Sequence, residues 1–330
     1  MSAVQRRDPA AVRVALVTGA SSGIGRATAA RLADAGQVVF AAARRAPALE
    51  SLAQEHPNVR PIVMDVTDPA SIDGARQQVQ ATGDGGLDLL VNAAGTMLLG
   101  PAAALPDEQL RAQFDVNLFG LLAVTRAFVP AMRERGAGRI VNLSSTLGRF
   151  VLPGTGLYSA SKFAVEAYSD ALRMELAPYG ILVVLVEPGV TDTSLYESAS
   201  ASLSGYTQAL EPYRSTWAGG FEFPQRLLKS AATVDSVTAD VVKAALATNP
   251  RPRYRPGIRN RMRTRLLTTL QTRMADRIKQ RLAGLSTAPQ PVTWEATRRW
   301  VPGKDSPTRR DPLHTAKGAR QRAPRRRYDQ

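Results

Sequence analysis

Six short apolar runs, most of them followed by a stretch with helical spacing, constrain this 330-residue chain more than any other feature. The runs lie at 12–18, 37–43, 59–65, 87–92, 138–144 and 181–187, and helical stretches fall near 23–35, 47–55, 69–81, 106–135 and 159–178. Parallel strands covered on both faces carry short, nearly continuous apolar runs of this kind, and helices make the crossovers between them. The pattern predicts an α/β chain: a single doubly wound parallel sheet of about seven strands with helices on both faces. A core helix over 234–248 and a short last strand at Arg253-Tyr254 complete a domain spanning 12–256, behind a flexible N-terminus at 1–11.

Composition narrows the chemistry. Hydrophobic residues make up 44% of the chain, which suits a globular body. No apolar stretch reaches the ~20 residues of a membrane-spanning helix, and the start, MSAVQRRDPAAVRV, lacks the apolar segment of a secretory signal. There is no cysteine, hence no disulfide, thiol nucleophile or thiolate metal site. His56 and His314 stand far apart, so neither a metal site nor a Ser-His-Asp triad is expected. A cytoplasmic location is expected, with a peripheral position at a membrane as its variant.

The turn after the first run reads Gly19-Ala-Ser21-Ser22-Gly23-Ile24-Gly25. Glycines at a first strand–helix junction let backbone approach a pyrophosphate while the helix N-terminus offers free N–H groups. At the tip of the second strand an acidic residue would favour NAD, and an arginine the 2′-phosphate of NADP. Arg44-Arg45 stands there, so NADP(H) is favoured over NAD(H).

Ser145 precedes Tyr158 by thirteen positions, and Lys162 follows Tyr158 by four. Residues four apart share one helix face. An ammonium held near a phenol favours the phenolate and draws its pKa down toward neutrality. Tyr158 then reads as a general acid/base, with Ser145 binding a substrate oxygen. A half-buried ring beside a surface amine would give the same spacing.

Taken in order, these residues resemble the short-chain dehydrogenases/reductases over about 12–255. The resemblance rests on TGASSGIG at 18–25, Asp65-Val66, Asn92-Ala93-Ala-Gly95, Asn117, Ser145, Tyr158-x-x-x-Lys162 and Glu187-Pro188-Gly189 with Thr193. It implies a Rossmann-type NAD(P)-dependent enzyme that interconverts a carbonyl and an alcohol. It also implies Tyr158 as acid/base and Lys162 as its partner on the nicotinamide ribose. Ser145 would orient the substrate, and Asn117 would hold a water that relays protons. Asp65 and Val66 would flank the adenine. Asn92, Ala93, Gly95, Pro188 and Gly189 would line the cofactor, and Thr193 would meet the carboxamide. Ala43 stands where NAD-preferring members tend to carry aspartate. The resemblance further implies a homodimer or homotetramer built through the two long helices, and NPRPRYRPG is similar to the hydroxysteroid- and retinol-dehydrogenase-like branch.

Residues 193–230 concentrate aromatic side chains around Gly219-Gly220, and read either as core helices or as an apolar flap over a medium-to-large apolar substrate. Beyond them the charge shifts: residues 1–250 hold 21 Lys+Arg against 23 Asp+Glu, and residues 251–330 hold 22 against 5. Ile258, Met262, Leu266, Leu270, Met274, Ile278 and Leu282 recur every fourth residue. They predict a basic amphipathic helix over 257–285, either packed on the body with its arginines in water or lying on an anionic membrane. Residues 286–330 read as a disordered basic tail, and the extension offers weak membrane or nucleic-acid contact.

Overall fold

The computed structural model describes residues 14–81, 86–203, 207–213, 228–229 and 231–285. Seven parallel strands form one sheet: β1 (Val14–Thr18), β2 (Val38–Ala43), β3 (Val59–Val63), β4 (Leu89–Asn92), β5 (Gly138–Leu143), β6 (Ile181–Val186) and β7 (Arg253–Tyr254). Their order is β3-β2-β1-β4-β5-β6-β7. The chain winds outward from β1 to β3, then returns to place β4 on the other side of β1. The crevice at the carboxyl ends of β1 and β4 is therefore the switch point where such sheets bind ligands.

Side-chain parity divides the core. Ala15 and Val17 face one layer with Leu32, Leu49 and Val241. Those three come from α1 (Gly23–Asp34), α2 (Ala46–Glu55) and α9 (Val234–Leu246). Val14 and Leu16 face the other layer with Ile72, Val124, Phe128 and Leu172. These belong to α3 (Pro69–Gln80), α5 (Leu121–Arg135) and α6 (Gly156–Leu176). Each buried Leu or Ile contributes about 1.5–3 kcal/mol.

Three elements differ from the expected pattern. The helix expected over 106–135 is composite: α4 (Asp107–Phe114), a π-helical segment Asp115–Gly120, then α5. The composite is long enough, and an 18-residue stretch of it with mean hydropathy 1.3 apolar enough, to meet the measure of a membrane span, against the expectation from the sequence. Its face of Val124, Phe128 and Met132 is buried in the sheet's core layer, which makes it a core helix. The helix expected from 159 begins at Gly156, so Tyr158 sits in its first turn.

The third difference lies at 257–285. Instead of one helix there are two, α10 (Ile258–Thr269) and α11 (Thr272–Ala283), because Leu270 and Gln271 take extended ψ values of 145° and 141°. The break ends the common face of the every-fourth stripe. On α10 the stripe also points away from the body: Ile258, Met262 and Leu266 are 65%, 68% and 53% exposed, whereas Thr264 and Leu267 are buried. The α10 part of the stripe is therefore not packed on the body. In the 193–230 segment α7 (Ser194–Leu203) and α8 (Thr207–Leu210) are helical, with Tyr196 and Leu210 buried. Tyr206, Trp217, Gly219, Gly220, Phe221 and Phe223, like residues 1–13 and 286–330, lie outside the described residues.

Candidate active site

The carboxyl ends of β1 and β4 are tied together by Thr18, whose Oγ1 accepts from the backbone N–H of Ala93 (3.0 Å) and Ala94 (3.1 Å). The turn that follows approaches so closely that a Cβ on Gly19 (φ +69°) would lie 2.8 Å from Ala94 Cα, and one on Gly25 would overlap the Gly19 carbonyl. Only glycine fits there. α1 then begins with Ser22 as an N-cap whose side chain makes no capping bond, and its first turn holds no acidic residue. The free N–H groups and helix dipole favour an anion.

Arg45 reaches back to this turn, donating to Ser21 Oγ from Nη2 at 3.0 Å and Nε at 3.3 Å. Arg44 stands beside Asp65. The Asp65 carboxylate is held below its usual range, first by the backbone N–H of Thr67 and least by Arg44. The contact of Arg45 with Ser21 and the place of Arg44 beside Asp65 put both arginines at the cradle.

A cleft of ≈ 660 Å³ runs from this cradle to Ser145, Tyr158 and Lys162. Every residue expected at the site lines it except Asn92 and Asn117. Asn92 is turned by strand parity into the opposite layer, where Nδ2 donates to Thr125 Oγ1 (3.1 Å) and Asn142 Oδ1 (2.9 Å). It ties β4 to β5 and α5 instead of lining the cleft. Asn117, on the π-helical segment, accepts from Thr96 N (2.8 Å) and donates to Thr96 O (2.9 Å) and Ser161 Oγ (3.0 Å). Its side chain clamps the loop after β4 against the residue preceding Lys162. π-segments of this sort recur at functional sites.

Tyr158 and Lys162 are both buried. Lys162 Nζ donates to the Leu143 carbonyl at 3.0 Å and lies 5.8 Å from the Tyr158 ring centroid. Burial pushes the Tyr158 phenol up to about 12, with the Ser145 hydroxyl pulling it down. Burial also brings Lys162 down to about 8, opposed by the charge of Glu166. The direction at Tyr158 is opposite to the one expected from the lysine, because desolvation outweighs an ammonium engaged elsewhere.

Behind Lys162 sits an ionic cluster that sequence reasoning missed. Glu187 is fully buried, with Arg253 Nε at 3.1 Å and Arg255 also paired to it. Arg253 Nε reaches Glu166 at 3.3 Å. Burial first, then the charge of Glu187, pushes the Glu166 carboxyl up. The one available signal was the i, i+4 spacing of Glu166 from Lys162.

α10 closes the site from the other side. A Cβ on Gly189 would overlap the Asn260 side-chain amide, so the helix rests directly on the Pro188-Gly189 turn. Asn260 Nδ2 is held by the Pro256 carbonyl at 2.9 Å, and Arg263 Nη2 donates to Asn260 Oδ1 at 3.3 Å. Arg263 points inward, beside Tyr196 and Ser145.

The family model described as short chain dehydrogenase matches residues 13–203. The chain is 34% identical over 249 residues to the NADPH-dependent 3-dehydrocapnine reductase of Ornithobacterium rhinotracheale, which covers 74% of this chain and 87% of that protein. It is 33% identical over 245 residues to the 3-ketodihydrosphingosine reductase of Bacteroides thetaiotaomicron, covering 74% and 88%. A short-chain dehydrogenase from Streptomyces avermitilis superposes with a TM-score of 0.64 at 32% identity, over 88% of this chain and 98% of that one.

Proposed function

The chain belongs to the short-chain dehydrogenase family, oxidoreductases of alcohol and carbonyl groups, and from that premise we propose that it reduces a ketone on a long, lipid-like substrate with NADPH. The observation that carries this reading is the convergence of the glycine cradle, Arg44 and Arg45 with Tyr158 and Ser145 in one cleft. A glycine turn that no Cβ fits, with an uncapped helix start, suits the dinucleotide's pyrophosphate. Arg44 and Arg45 suit its 2′-phosphate. When bound there, the cofactor supplies hydride to the carbonyl carbon.

The chain's own residues manage the proton. Ser145 donates a hydrogen bond to the carbonyl oxygen, and Tyr158 gives that oxygen its phenolic proton as the alcohol forms. A phenol kept protonated by burial suits the acid role in the reduction. Lys162 stabilises the phenolate left behind, and a proton from solvent restores it. Asn117 holds the loop at Thr96 and the Ser161 turn, which positions Lys162. The apolar lining at Met97, Leu98, Leu195 and Tyr196 supports an apolar substrate body. Two relatives named as reductases, one of 3-ketodihydrosphingosine, support the lipid-like class.

Exposed Phe119, Phe163 and Met174 on the long helices support a homo-oligomer built through them. A cytoplasmic enzyme that works at the membrane surface is a second reading. It is favoured by the outward ridge of Ile258, Met262 and Leu266, flanked by exposed Arg259, Arg261 and Arg265. Such a helix suits an anionic bilayer surface. Met262→Glu with Leu266→Glu is expected to abolish pelleting with phosphatidylglycerol vesicles; equal pelleting removes this reading.

The reductase reading is tested by NADPH and NADH oxidation against 3-oxo compounds of graded chain length. NADPH-linked turnover that rises with chain length is expected, with Arg44→Ala/Arg45→Ala raising the KM for NADPH at least about tenfold and leaving NADH little changed. NADH preference, or turnover only of short polar ketones, sinks it.

A further inference from the structure

The cavity beyond Ser145 shares Met97, Ser145, Gly189 and Tyr196 with the main cleft, so it is the cleft's inner end. Its walls are largely apolar, with Leu99, Leu147, Phe150 and Leu152 among them. The cation on this wall is Arg263 of α10.

Arg263 is only partly satisfied. Nη2 donates to Asn260 Oδ1 at 3.3 Å, while Nε is buried with no hydrogen-bond partner. Among the described residues no carboxylate pairs with it; its electrostatic neighbours are Tyr196 and the like-charged Arg259. Every other arginine of α10 is exposed. A guanidinium turned into an apolar wall without a counter-charge is unfavourable unless a ligand supplies one. The docking of Asn260 on Gly189 fixes the helix at this depth, so the placement belongs to the fold and not to a loose side chain.

We propose that Arg263 is a specificity-determining residue that binds an oxyanion of the substrate, a carboxylate, sulfonate or phosphate carried close to the reacting carbonyl, because Arg263 and Ser145 line the same small cavity. The inference rests on the reductase reading for the identity of the carbonyl end. The anion end follows from Arg263 alone. Guanidinium forks bind such groups through paired, charge-assisted hydrogen bonds. The substrate is then an amphiphile whose polar head holds both the carbonyl read by Tyr158 and Ser145 and the anion read by Arg263.

The test uses the full chain and matched long-chain ketones that carry a carboxylate, a sulfonate, a phosphate or a neutral alcohol near the carbonyl. Wild type is expected to favour one or more of the anionic ketones over the neutral one by about 30- to 100-fold in kcat/KM, mostly through KM. Arg263→Met is expected to reduce that ratio to within a few-fold of unity, and Arg263→Lys to restore part of it. The arm with the largest ratio identifies the oxyanion. A wild-type ratio near one, or a ratio that Arg263→Met leaves unchanged because all ketones fall together, overturns the proposal. Calorimetric titration with decanoate, decanesulfonate, decyl phosphate and decanol separates the two readings. Selective loss of anion binding in Arg263→Met upholds the anion site even if no ketone is reduced. Equal binding of all four by wild type and variant rejects it even if reduction is confirmed.

Discussion

Lys162 Nζ donates to the Leu143 carbonyl at 3.0 Å and stands 5.8 Å from the centre of the Tyr158 ring. The ammonium is thus held by the end of β5 within the same buried pocket as the phenol. Burial lowers Lys162 from 10.5 to about 8. Between those pH values the unfolded chain keeps a proton that the folded chain has released, so folding is favoured as pH rises through that window. Below about pH 8 both states are protonated and the buried charge disfavours folding in full. Urea unfolding of wild type and Lys162→Met from pH 7.5 to 10.5 is expected to show the difference moving by roughly 3 kcal/mol in favour of wild type. A difference that stays flat would mean that Lys162 titrates normally.

Gly189 and Asn260 form the seat of α10, and a methyl group at 189 overlaps the Asn260 amide. Gly189→Ala is expected to lose about 1–3 kcal/mol through overpacking. Adding Asn260→Ala should return part of that loss, giving a coupling of about 1 kcal/mol or more in a double-mutant cycle of urea melts. Simple additivity would show that the two do not meet.

Asn117 makes three hydrogen bonds with its side chain, two to Thr96 and one to Ser161. Asn117→Ala removes two hydrogen bonds to the backbone of the exposed Thr96 and one to the buried Ser161 hydroxyl, and is expected to lower stability by about 1–3 kcal/mol. Faster amide exchange at Thr96 should accompany it. A change under about 0.5 kcal/mol would show that the side chain is no clamp.

What the sequence reveals depends on how local the cause is. Val14–Thr18 and Ile181–Val186 are legible as strands because both of their faces are buried, and Gly19 and Gly25 because no Cβ fits the turn. Tyr158 and Lys162 are legible as a pair through helical spacing, but the direction of the Tyr158 shift depends on burial and on the Leu143 carbonyl, neither of which spacing encodes. Asn92 misleads because its side faces α5, a matter of parity at the end of β4. Arg263 is hidden among like-charged neighbours; only the contact of Asn260 with Gly189 singles it out. The break at Leu270-Gln271 carries no Pro or Gly to announce it.

Carbonyl reduction in this cleft depends on the proton of Tyr158, and Tyr158→Phe tests that most directly. In the full chain this change removes the hydroxyl and keeps the buried ring. NADPH binding, followed by nucleotide fluorescence, is expected to stay within a few-fold of wild type, while ketone reduction falls about 100- to 10,000-fold. A variant that binds NADPH and keeps more than about a tenth of wild-type turnover, far above that range, would show that Tyr158 does not carry the proton.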